Sequence, residues 1–126
     1  MDIVEFKRVV FACAKYTASK VDEIHQPGVT PNFFAAELVF ENNKYFLLCT
    51  YNNEWAISEN FEKLGCELVF AEVSVISEAL NFLFKIQTLA PEFLKSRYLN
   101  RENHNLQDIN YWQPNTMGDG IFNWWD

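Results

Sequence analysis

Phe33-Phe34-Ala35-Ala36-Glu37-Leu38-Val39-Phe40-Glu41-Asn42-Asn43-Lys44-Tyr45 is the stretch that settles the fold. From Phe33 to Phe40 the side chains alternate, with Phe34, Ala36, Leu38 and Phe40 on one face and Glu37 on the other, the period of a β-strand. Glu41-Asn42-Asn43-Lys44 has the composition of a hairpin turn. The chain then returns as a second strand, Tyr45 to Tyr51, turns tightly at Asn52-Asn53, and runs back as a third, Glu54 to Ser58. In that third strand Trp55 and Ile57 point inward and Glu54, Ala56 and Ser58 outward. Beyond a linker containing Gly65, Glu67 to Val73 reads as a fourth strand.

On the N-terminal side, Ile3, Phe6, Val10, Cys13, Thr17, Val21 and Ile24 recur every three or four positions, so residues 2 to 24 read as one amphipathic helix. His25-Gln26-Pro27-Gly28 stops it. On the C-terminal side, helical spacing resumes after Ser74 through Ile76, Leu80, Leu83 and Ile86. Pro91 can open a further short helix, because a proline in the first turn forfeits no hydrogen bond. Arg101 to Asn110 is polar and asparagine-rich and reads as irregular. A sheet with one apolar face is most simply covered by helices on that face. The expected fold class is therefore α+β: an N-terminal amphipathic helix, a three- to four-stranded antiparallel meander, and C-terminal helices packed on one sheet face. Residues 1–126 form a single domain, with 49% hydrophobic residues to supply its core.

The formal charge of -7 is unevenly spread. Residues 1 to 20 carry four bases against two acids, whereas residues 21 to 80 carry ten acids against Lys44 and Lys63 alone. On the expected fold, Glu37, Glu54 and Glu67 project from the solvent face of the sheet. An acidic middle repels phosphate backbones and attracts basic proteins, which argues against direct nucleic-acid binding. No apolar run approaches the roughly 18 to 20 residues that span a bilayer. The first residues alternate in charge and do not form a basic segment followed by an apolar block. The expectation is a cytoplasmic protein with no membrane partner.

Catalytic constellations are not visible. Cys13, Cys49 and Cys66 are unevenly spaced among apolar neighbours, as buried free thiols are, and His25 and His104 sit in separate loops, so no metal motif forms. The four glycines make no phosphate-binding loop. Carboxylates facing solvent on alternate strand positions lack the desolvation that raises a catalytic pKa. Glu72, which shares parity with Leu68 and Phe70, is the exception and reads as semi-buried. No cofactor is expected.

The chain ends in Tyr111-Trp112-Gln113-Pro114-Asn115-Thr116-Met117-Gly118-Asp119-Gly120-Ile121-Phe122-Asn123-Trp124-Trp125-Asp126. Thr116 and Asp119 have the spacing of a capping box, and Ile121, Phe122 and Trp125 follow at helical spacing, so this stretch reads as one short helical turn docking an apolar face. Trp112, Phe122 and Trp125 are expected to close the core. The pattern of Trp112, Pro114, Thr116, Gly118, Asp119, Phe122, Asn123, Trp125 and Asp126 resembles the endings of small immunity proteins from bacterial contact-dependent growth inhibition and related polymorphic toxin systems. The resemblance covers about the last sixteen residues. It implies a cytoplasmic protein that binds and neutralises a cognate toxin domain, often a nuclease, in a non-catalytic stoichiometric complex.

The acidic middle agrees with that implication, since carboxylates can stand in for the phosphates a nuclease binds. Candidate contacts are Glu37, Glu54, Glu59, Glu62 and Glu67, with Tyr51 or Trp55 as aromatic anchors. The same glutamates also fit the plain role of solvating a sheet face, and Trp55 that of a core residue. Two other classes remain: a small enzyme or ligand-binding domain with a pocket between sheet and helices lined by Tyr45, Cys49, Tyr51 and Trp55, and an adaptor that docks through its aromatic ending.

Overall fold

A computed structural model describes residues 1–101 and 104–126. It confirms the α+β architecture. Helix α1 (Ile3–Thr17) starts at Asp2, whose carboxylate accepts from the Glu5 amide at 2.8 Å, and buries Phe6, Val9, Val10, Cys13, Ala14 and Thr17. Strands β1 (Lys20–His25), β2 (Phe33–Phe40), β3 (Asn43–Thr50) and β4 (Trp55–Ser58) form one antiparallel sheet in sequence order. Helices α2 (Ser74–Phe84), α3 (Pro91–Lys95), α4 (Leu106–Trp112) and α5 (Met117–Ile121) follow. The β2–β3 turn is the tight one: Glu41 and Asn42 both take positive φ, at 49° and 66°, as a two-residue hairpin demands.

The expected helix over residues 2 to 24 stops at Thr17. Ala18 adopts a left-handed conformation, φ 55°, and the Thr17 hydroxyl donates back to the Cys13 carbonyl at 2.9 Å. Val21 and Ile24 belong to β1 at the sheet edge, where a bulge between them lets both pack on the same core. Their three-residue spacing imitates a helix because the bulge restores the side-chain direction that alternation would have reversed.

The fourth strand of the sheet is therefore β1, and Glu67–Val73 is not a regular strand. It touches the outer side of β4 only at the Ser58–Phe70 bridge, with Glu59 N–H donating to Val69 O at 2.8 Å and Ala71 N–H to Ile57 O at 2.9 Å. The Asn60 amide holds the remainder, donating to Glu67 O and accepting from Val69 N–H, each at 2.7 Å. Those side-chain bonds replace ladder bonds. Arg101 to Asn110 also differs from expectation: Asn105 caps α4, accepting from Gln107 N–H at 2.8 Å. Glu102 and Asn103 of that span lie outside the described residues. Helix α4 has no buried residue, so no apolar stripe announced it.

The largest difference concerns the sheet faces. Phe34, Ala36, Leu38, Leu47, Cys49, Trp55 and Ile57 face α1 and α2, as the alternation predicts, with Phe6 stacked on Phe34 and Trp55 at 5.1 and 5.6 Å. The opposite face is buried as well. Phe33, Ala35, Leu48 and Ala56 lie beneath Phe61, Phe70, Leu94, Met117, Ile121 and Phe122. Helices thus pack on both sides, and the expected solvent face carrying Glu37, Glu54 and Glu67 does not exist. The second cover is the C-terminal segment, clamped to the start of β2: Asn32 N–H donates to Asn123 O at 3.0 Å, and the Asn123 amide N–H to Asn32 Oδ1 at 2.9 Å. The Thr116–Asp119 capping box forms as expected and starts α5.

Candidate functional site

Closing both faces moves the available carboxylates to the loops. Glu37 is only 9% exposed and pairs with Lys44 at 3.0 Å. Glu54 is largely covered and pairs with Arg101 at 2.6 Å. Trp55 lies in the core, its indole donating to Asn53 Oδ1 at 2.8 Å, so it is no surface anchor. Tyr51 is half exposed and meets Phe34 edge-on at 5.7 Å. Glu59, Glu62 and Glu67 are fully surface residues and share the loop that leaves β4. Glu72, expected to be semi-buried, is exposed because its segment is not paired as a strand.

The loop from Glu59 to Val69 is built to hold a shape. Gly65, at φ 121°, supplies a turn that L side chains rarely adopt, and its N–H donates to Glu62 O at 3.0 Å. The Trp124 indole donates to Lys63 O at 2.9 Å. The same ring stacks on Phe61 at 6.1 Å and meets Phe33 edge-on at 5.3 Å, so the loop is tied to the second core through one tryptophan. At the tip of this held loop Leu64 is 97% exposed, with Glu62 and Glu67 on either side of it in the chain and Val69 half exposed further on. An exposed apolar side chain in a loop of exposed charged residues has the make-up of an interface anchor with a polar rim. The three glutamates are legible in the sequence as charge, whereas Leu64 is marked there only by standing between Lys63 and Gly65.

A second feature lies across the C-terminal segment. Thr50, Asn52, Glu54, His104, Asp108 and Trp125 border a polar pocket of about 270 Å³. Burial, reinforced by the nearby Arg101 guanidinium, lowers the His104 pKa below its ordinary value of 6.5 and keeps the imidazole neutral. Burial also raises the Tyr98 pKa, and its hydroxyl shares a hydrogen bond with His104 Nδ1. The pocket expected between sheet and helices is instead filled: Cys49 and Trp55 are packed in the first core. Burial pushes the Cys49 thiol up to about 12 and Cys13 up to about 11, leaving both protonated and poor nucleophiles. Among the described residues no three His, Cys, Asp or Glu side chains converge as metal ligands, and no helix is long and apolar enough to cross a membrane.

Trp112, expected to help close the core, is instead 37% exposed and lies parallel to the half-buried Trp125 at 6.1 Å, while Phe122 is fully in the core. Compared with known proteins, the chain matches no family model, no curated protein and no solved structure.

Proposed function

We propose that this protein is a non-catalytic, stoichiometric inhibitor of the immunity type, acting in the cytoplasm by binding a cognate toxin domain with a basic surface, most simply a nuclease. The observation that carries the reading is the loop that exposes Glu59, Glu62, Leu64 and Glu67 together and is held in place by Trp124. Carboxylates there meet the basic surface that a nuclease uses for phosphates, and Leu64 supplies the desolvated centre. Pre-ordering the loop lowers the entropy lost on association. Supporting it independently are the acidic charge and the C-terminal pattern of Trp112, Pro114, Thr116, Gly118, Asp119, Phe122, Asn123, Trp125 and Asp126. Glu37 and Trp55, buried by the fold, are withdrawn from the proposed contact surface, and Glu54 and Tyr51 stand apart from the loop.

The test is co-expression with the gene immediately upstream, scored for growth. Rescue together with a one-to-one complex is the expected outcome. Continued growth arrest with soluble protein present contradicts the proposal. The competing reading, a small ligand-binding or enzymatic domain, draws on the polar pocket, but its volume lies just below the range of about 300–1,000 Å³ usual for small-molecule sites.

A further inference from the structure

We infer that the polar pocket beside Trp125 receives one basic side chain, an arginine, from the same protein partner. The inference rests on the reading above and extends its surface across the C-terminal segment. Continuity is the first argument. Asn123 and Trp125 border this pocket, and they also border a neighbouring hollow whose far wall is Cys66 and Leu68 of the acidic loop. A partner seated on Leu64 and reaching over Trp125 therefore arrives at the pocket.

Charge is the second argument. Two carboxylates, Glu54 and Asp108, line the pocket, while Arg101, which balances Glu54 at 2.6 Å, stands outside the lining. Asp108 has no ion-pair partner among the described residues, and His104 adds no positive charge. The pocket thus offers one unmatched carboxylate together with the Asn52 amide oxygen as a further acceptor, the buried Thr50 hydroxyl already accepting from Glu54 N–H at 3.1 Å. A guanidinium, with five donors in a planar fork, uses that set better than an ammonium does.

Size and wall chemistry are the third. The pocket, at about 270 Å³, is small and polar, which suits a single side chain better than a cofactor. Trp125 forms one wall, its ring parallel to Trp112, and an indole face is the best aromatic partner for a guanidinium.

The experiment titrates the free, full-length chain with N-acetyl-argininamide and, separately, with the neutral isostere N-acetyl-citrullinamide. The readouts are the Trp125 indole N–H and the backbone amides of 104–108 in ¹H–¹⁵N spectra. Saturable millimolar binding of the arginine compound is expected, with affinity about ten-fold weaker for the citrulline compound and for Asp108→Asn. Trp125→Leu, with the remaining spectrum unchanged as proof of folding, should also weaken it. Equal response to both compounds, or a response indifferent to Asp108→Asn, overturns the guanidinium assignment. No saturable shift at all overturns the pocket as a site. Because the partner is absent from this titration, its failure leaves the loop contact standing, and binding without growth rescue sinks the inhibitor reading while the pocket survives.

Discussion

The two faces of the sheet are covered by different kinds of structure. On one side α1 and α2 lay regular apolar stripes against Phe34, Ala36, Leu47, Trp55 and Ile57. On the other side short helices and loops bring in Phe61, Phe70, Leu94, Met117, Ile121 and Phe122 one at a time. The first cover is a pair of regular helices, which also leaves Phe11, Tyr16 and Phe82 exposed. The second cover is where the chain places its exposed loop, its pocket and its aromatic ending. Irregular cover costs packing simplicity but leaves backbone free to be shaped by single contacts, such as the Trp124 indole on Lys63.

The most severe way to break this comparison is to remove the second cover. A chain ending at Thr116 loses Ile121 and Phe122, and exposes Phe33, Ala35 and Leu48. Its deficit is expected to exceed the roughly 3–5 kcal/mol of a single buried Phe→Ala change, so thermal or urea melting should lose its cooperative transition. A truncated chain that still melts cooperatively shows that the first face suffices alone.

Gly118→Ala probes the closeness of that cover with less force. A Cβ at Gly118 would lie 2.5 Å from the Phe70 ring and 3.1 Å from Leu94 O, so α5 must shift, at a cost of about 1–3 kcal/mol in urea unfolding. Trp124→Phe keeps an aromatic ring but removes the bond to Lys63 O. The expected loss is about 1 kcal/mol, with faster amide exchange concentrated at residues 62–65. Exchange unchanged in those residues means the loop holds itself.

A smaller effect follows from His104. Its pKa is lowered on folding, so below pH 6.5 the unfolded chain takes up a proton that the folded chain resists. Stability from this group is fully present above pH 6.5 and declines as pH falls from there to the folded value. The slope should flatten in His104→Asn, measured by urea midpoints between pH 7 and pH 5 on the scale of about one proton.

The contrast between the faces also explains what the sequence discloses. The β2–β3 hairpin, α2, the proline start of α3 and the capping box of α5 were all legible, because each depends on residues adjacent in the chain. The bulged β1 was not, since Val21 and Ile24 keep helical spacing and only the neighbouring strand reveals their role. Nor was the burial of Ala35, Leu48 and Ala56. Alternation showed one apolar face, and the small or apolar residues of the other were outweighed by Glu37, Glu54 and Ser58. The candidate site was half legible on the same grounds. Glu59, Glu62 and Glu67 are visible as charge, whereas the pocket joins Thr50, His104 and Trp125 through contacts far apart in sequence.

The central claim, that the acidic loop is the surface by which this chain meets a basic partner, is tested most directly by association kinetics. The variant carries Glu59→Lys, Glu62→Lys and Glu67→Lys together, and its folding is confirmed by an unchanged melting transition. Measured against the partner that the co-expression test identifies, the association rate constant should fall by about 10- to 100-fold at low salt, and its dependence on ionic strength should weaken. An association rate and salt dependence equal to those of the unmodified chain would contradict the account.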